Sequence, residues 1–116
     1  MVRKSDEKTV MRKPAPFNGT GEISVRSLLN GDEEMCHKGR VFCHTTIYPG
    51  SSIGYHLHTG DSETYYILKG TACFNDNGTL RTVTAGDVTY TPSGQGHGIE
   101  CIGEERVEMI ALILYE

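Results

Sequence analysis

Two histidines separated by one residue, His56-Leu57-His58, are the first chemistry-bearing feature of the chain. In a β-strand that spacing projects both imidazoles from the same face, so the pair can share one ion. An isolated pair of this kind is, in most proteins, simply two surface or pocket histidines. Here Glu63 opens the next run after the turn residues Thr59-Gly60-Asp61, so a hairpin folds its carboxylate back over the imidazoles. His97 stands in a later run, after Gly86 and the corner Pro92-Ser93-Gly94. Together His56, His58, Glu63 and His97 offer mixed nitrogen and oxygen ligation with one or two positions left for water or substrate.

The elements that must position these groups read as short strands. With 116 residues there is room for one domain and one core. The first stretch, residues 1–21, mixes charge with Pro14, Pro16, Gly19 and Gly21 and has no periodicity; it reads as a loose N-terminal arm with one early strand at Thr9 to Met11. From residue 22 to 116, alternating or β-branched runs follow one another: Ile23 to Leu29, Arg40 to Tyr48, Ser52 to His58, Glu63 to Leu68 and Thr71 to Phe74. Leu80 to Val83, Asp87 to Tyr90, Gly96 to Cys101 and Arg106 to Tyr115 complete the series. Turn residues fill nearly every gap, and Asn77-Gly78 is a strong hairpin signal because a type I′ turn needs positive φ at both central residues. Strands about ten residues apart, with one helical turn near Asp32 to Cys36, predict an all-β sandwich or barrel.

The spacing of the four ligands resembles both motifs of the cupin superfamily. The first, glycine, five residues, H-x-H, three or four residues, glutamate, six residues, glycine, reads as Gly50, His56, His58, Glu63 and Gly70. The second, glycine, five residues, P-x-G, two residues, histidine, three residues, asparagine, reads as Gly86, Pro92, Gly94 and His97, with Cys101 in place of the asparagine. The resemblance implies a small single-domain cupin: a double-stranded β-helix, or jelly-roll, barrel with one divalent ion inside. Manganese, iron, cobalt, nickel, copper and zinc all suit such ligands. It also implies a small oxygen-bearing organic ligand, and either a metal-dependent enzyme of the isomerase, lyase, decarboxylase or dioxygenase type or a non-catalytic sugar- or acid-binding module. Fold does not choose between them.

Strand alternation puts Tyr65 and Ile67 on the face of Glu63, and Ile99 and Cys101 on the face of His97, as candidate pocket residues. Tyr65 is the candidate catalytic residue, as a general acid or a group orienting a substrate oxygen, against the plainer role of filling the barrel. Cys101 reads as a small hydrophobe rather than a reactive thiol. His44 reads as a pocket or supporting residue, or equally as a surface or interface one, and His37 as solvated. Basic residues near the motifs are limited to Lys69, Arg81 and Arg40, which favours a singly charged or partly apolar ligand.

Eleven Lys and Arg against fifteen Asp and Glu, a net charge of −4, lack the basic stripe that nucleic acid requires. The longest apolar run, Met109 to Tyr115, falls short of a membrane span. Four scattered cysteines with no C-x-x-C pair and no apolar leader predict a cytoplasmic chain with reduced thiols. The last strand is hydrophobic on both faces, and small cupins commonly pair, so a homodimer is expected.

Overall fold

The computed structural model describes all 116 residues, Met1–Glu116. Ten strands form two sheets: β1 (Val10–Pro14), β2 (Glu22–Ser27), β3 (Gly39–Ile47), β4 (Ser52–Leu57), β5 (Asp61–Lys69), β6 (Thr71–Asp76), β7 (Thr79–Thr84), β8 (Val88–Thr91), β9 (Gly96–Cys101) and β10 (Val107–Tyr115). The six-stranded sheet runs β1-β2-β3-β10-β5-β8 and the four-stranded sheet β4-β9-β6-β7, every pairing antiparallel. This is the all-β sandwich expected from the spacing of the runs, in the jelly-roll form that the cupin resemblance implies. A single helical turn, α1 (Gly31–Glu34), precedes β3, and no helix is long and apolar enough to cross a membrane.

Period-2 alternation decides which side chains meet between the sheets. Along β10, Val107, Met109, Ala111 and Ile113 are buried while their neighbours are half-buried or exposed. Burial on both faces, expected from the composition of this strand, therefore holds for one face only within the single chain. Ile47, Ile67, Ala72, Phe74, Val83, Ile99, Cys101, Val107 and Met109 belong to one continuous apolar core. At about 25 cal/mol per Å² of apolar surface removed from water, such side chains supply the main driving force for closing the barrel.

Between β6 and β7 the Asn77-Gly78 turn forms as expected, with φ of 49° and 102° at its two central residues. Asn75 Oδ1 accepts from the Gly78 amide and closes the turn.

The N-terminal stretch is less loose than its composition suggests. It supplies β1, which pairs with β2 over five residues, from Val10 opposite Arg26 to Pro14 opposite Glu22. Pro14 is tolerated because β1 is an edge strand and its missing N–H breaks no inner ladder. After it, a turn at Pro16–Asn18 crosses to the four-stranded sheet and lies against β4.

Candidate metal centre

The strand carrying the histidine pair is not regular. Pairing of β4 with β9 shifts register between Ile53 and His56, a bulge centred on Gly54 and Tyr55. Such an extra residue re-aims the side chains after it, and bulges gather beside functional sites. Ile53 and His56 both turn inward although three positions apart, and the alternation then resumes, with Leu57 66% exposed and His58 3% exposed. The shared face expected for His56 and His58 is thus reached through a bulge, and glycine inside a strand was its signal in the sequence.

His97 lies opposite His56 in the β4–β9 ladder, and Glu63 comes from β5 in the other sheet, paired with Thr91 and Ile113. The Pro92 to Gln95 corner is tied to the backbone of His58: the His58 amide donates to Gln95 O and the Gly94 amide to His58 O. Ser93 Oγ accepts from the Gly60 amide. These bonds hold His58, which lies just past the end of β4, as firmly as a strand residue.

The four candidate ligands converge. Each offers a donor atom within 4.8 Å of the others. His58 Nε2 lies 3.2 Å and His97 Nε2 3.0 Å from Glu63 Oε1, and the two nitrogens are 3.1 Å apart. An octahedral ion with bonds of roughly 2.1 Å places adjacent donors about 3.0 Å apart, and a tetrahedral one about 3.4 Å. The spacing matches one face of an octahedron.

Two of the three imidazoles are set in one tautomer by partners that can only accept. The Nδ1–H of His56 donates to Gly54 O (2.8 Å) and that of His58 to Asp61 Oδ1 (2.7 Å), while His97 Nδ1 is hydrogen-bonded to the Thr91 hydroxyl (2.9 Å), which accepts or donates as the ring requires. The Nε2 lone pairs of His56 and His58 are then free for the centre, where His97 Nε2 joins them beside the Glu63 carboxylate. His97 is 0% and Glu63 7% exposed. Buried lone pairs and a carboxylate at 3 Å repel one another unless a cation lies between them, so these residues fit a divalent first-row ion.

Asp61, a turn residue by its sequence setting, opens β5 and supports the site. Burial acts to raise its pKa, but the hydrogen bonds from His58 and Arg40 bring it below the ordinary carboxylate value. It is therefore charged and fixes the His58 ring, as a carboxylate behind a ligating histidine commonly does. Burial lowers the pKa of His56, with the neighbouring histidines acting in the same direction and the Gly54 bond opposing. Neutral imidazole is the form that ligates.

A cavity of about 500 Å³ opens beside His56, His58 and Glu63, walled by Ile23, Val25, Val41, Cys43, Met109 and Ile113 among others. Lys13 and Arg40 also line it, from β1 and β3. Both are largely exposed, so they stand at its mouth.

Of the residues expected to line the pocket, Tyr65 does so; its ring lies on His97 with centroids 5.1 Å apart and planes at 16°. Burial first, then the charge and hydrogen bond of Glu63, push its phenol well above the usual range. Ile67, Ile99 and Cys101 share the inward faces as expected but lie deeper, in the apolar core beyond the cavity. The Cys101 thiol donates to Glu105 O at 3.2 Å and anchors the loop before β10. His44 is on the outer face, bonded to Glu108 Oε1 at 3.0 Å, because the inward positions of β3 are Val41, Cys43 and Thr45. All four cysteines are free thiols.

With this geometry, comparison with known proteins gives a consistent result. The cupin domain model matches residues 43–113, and the chain belongs to the cupin family. It is 42% identical over 114 residues, 98% of this chain and 93% of the other, to the oxalate-binding protein of Thermotoga maritima. The crystal structure of a predicted oxalate decarboxylase from Thermotoga maritima superposes with a TM-score of 0.95 at 41% identity, covering 100% of both chains. An uncharacterized conserved protein with a double-stranded β-helix domain, from Klebsiella pneumoniae subsp. pneumoniae, gives a TM-score of 0.66 at 25% identity over 79% of this chain and 74% of its own.

Proposed function

We propose that this cupin holds one divalent first-row metal ion through His56, His58, Glu63 and His97, and that the ion binds a small dicarboxylate, with oxalate as the first choice. The carrying observation is the largely buried donor set, with four ligand atoms within 4.8 Å of one another and the Nε2 atoms of His58 and His97 at 3.2 and 3.0 Å from Glu63 Oε1. Four protein ligands on a six-coordinate ion leave two positions, which suit two oxygens on adjacent carbons of one ligand.

Charge supports a dianion. The cavity wall carries Lys13 and Arg40 against Asp61 and Glu63, so two positive and two negative charges cancel. A divalent ion then leaves +2, the complement of a dicarboxylate. Lys13, remote from both motifs in sequence, is what moves the reading from a singly charged ligand to a doubly charged one. The name of the Thermotoga maritima relative, an oxalate-binding protein, points the same way. About 500 Å³ exceeds what oxalate fills, so the chelating pair of oxygens, rather than the wall, selects the ligand.

Calorimetry on protein loaded with Mn(II) or Co(II) tests this, with oxalate, malonate and acetate as ligands. Oxalate binding that disappears with chelator, and acetate at least tenfold weaker, is the expected result. Oxalate binding of equal strength in metal-free protein sinks the proposal.

A second reading, turnover of the bound acid, rests on Tyr65. Its buried, protonated phenol beside Glu63 is placed to give or orient a proton at a ligand oxygen. Formate release from oxalate, abolished in Tyr65→Phe with metal content unchanged, separates turnover from binding alone.

The outer face of β5 and β8 exposes Tyr66, Leu68, Val88 and Tyr90, and a second copy of the chain covering it fits the expected homodimer. Free thiols suit the reducing cytoplasm.

A further inference from the structure

Phe17 makes an unusual contact for a residue in a segment with so little periodicity. Its ring lies flat on the His56 imidazole, with centroids 3.8 Å apart and planes at 12°. Phe17 is otherwise 60% exposed, at the rim of the cavity. An aromatic side chain this exposed gains little by burial, so removal from water does not explain where it sits.

The backbone around it is built for the placement. Ala15, Phe17 and Asn18 all have positive φ, at 39°, 53° and 60°, a region non-glycine residues seldom enter. Outliers of this kind persist where the surroundings over-determine them, and they gather at ligand sites. The surroundings here are the β4 bulge: a Cβ on Gly54 would collide with the Phe17 carbonyl oxygen, and one on Gly19 with the Ser52 carbonyl oxygen. Thr20 adds a bond from its amide to Ser52 Oγ and one from its hydroxyl to Gly50 O. The strap after β1 is thus keyed into the one irregular stretch of the strand that carries His56.

His56 is also the ligand most in need of support. His58, Glu63 and His97 are buried, whereas His56 is half-buried and its Nδ1 partner is a carbonyl of its own strand two residues away. A ring so held can still swing about its Cα–Cβ bond unless a surface closes its open side.

We infer that Phe17 is a positioning residue for the proposed metal centre: its ring clamps the open face of the His56 imidazole, and the strap at residues 15–18, left-handed at Ala15, Phe17 and Asn18, holds that ring there. The inference rests on the proposed metal site and assigns the N-terminal stretch a part in it that neither cupin motif contains.

The test measures Co(II) affinity by chelator competition, with the visible spectrum of the Co(II) protein and the melting temperature of the metal-free protein, for wild type, Phe17→Ala, Phe17→Leu and Phe17→Tyr. Loss of a group that orients a ligating histidine typically weakens metal binding about tenfold or more. The expected result is a loss of about tenfold in Phe17→Ala. Phe17→Leu, which keeps bulk but not the flat face, follows it with an altered Co(II) spectrum, and Phe17→Tyr retains wild-type affinity and spectrum. Metal-free melting temperatures stay together, since the side chain is mostly in solvent. Equal affinity in wild type and Phe17→Ala overturns this inference alone, as does a loss that tracks the metal-free melting temperature. Wild-type protein that takes up no Co(II) overturns the metal site as well.

Discussion

Replacing Asp61 by asparagine exchanges one oxygen for an amino group and should disable His58 as a candidate ligand. Asp61 Oδ1 accepts the His58 Nδ1–H at 2.7 Å, and the carboxylate is 7% exposed and held below its ordinary pKa by His58 and Arg40 against the effect of burial. A hydrogen bond to a charged acceptor contributes about 1.5–3 kcal/mol. At about 1.4 kcal/mol per decade that is a factor of roughly 10 to 150 in metal affinity, in line with the 10- to 100-fold typical of groups behind ligating histidines. Asparagine should lie at the upper end, because its amide donates to Nδ1 and drives the imidazole proton onto Nε2, into the metal position. Alanine leaves Nδ1 to water and should lose less. Arg40 loses the carboxylate charge in both and keeps an acceptor only in Asp61→Asn, where the amide oxygen faces it, but its side chain is half exposed and the pair stabilises by about 1 kcal/mol at most. Competition between the protein and a chromophoric chelator for Mn(II) or Co(II) reads the effect directly. Affinity of Asp61→Asn within twofold of wild type, or a larger loss in Asp61→Ala than in Asp61→Asn, refutes the tautomer argument.

Other perturbations separate the parts of the molecule. Lys13→Ala should weaken oxalate binding to metal-loaded protein about tenfold in calorimetry, the effect of one lost charge-assisted contact, and leave metal affinity unchanged. Ile67→Ala, at a position 0% exposed and beyond the cavity, should cost about 2–5 kcal/mol in urea unfolding with metal ligation intact. Burial acts to raise the pKa of Glu108, but Arg106 and His44 bring it below the ordinary value of 4.5. A depressed folded pKa stabilises above the unfolded value and ceases to as pH falls through the folded one. Glu108→Gln should therefore melt lower than wild type near neutrality and converge with it in acid. Val88→Lys on the outer face should halve the mass seen by light scattering, with the cavity unaffected.

The candidate ligand set was legible because strand period and motif spacing are both local in sequence. His56, His58, Glu63 and His97 needed only a hairpin and a later strand to meet, and turn residues announced both. Alternation also assigned Ile67, Ile99 and Cys101 to the inward face, but says nothing of depth along the barrel; that depends on tilt and stagger between strands. They fall in the apolar core rather than around the ion. Asp61 was hidden within an apparent turn, since the start of β5 is set by its pairing with Tyr115 rather than by local propensity. Lys13 and Phe17 escaped notice for a stronger reason. A stretch with two prolines and no period shows only the short strand at Thr9 to Met11, and the placement of the rest comes from edge pairing with β2 and from the fit of its strap against Gly54.

One topological detail bears on how the molecule comes apart. His56 and His97 belong to the four-stranded sheet and His58 directly follows it, while Glu63 belongs to the six-stranded one. An ion on these four side chains ties the two layers at the open end of the barrel, where the cavity interrupts their packing. It would act there much as a crosslink does, raising the barrier to separating the layers. Amide exchange in β4, β5 and β9 should then slow far more on metal loading than exchange in β6 and β7, whose layer contact is already sealed by Phe74 and Val83.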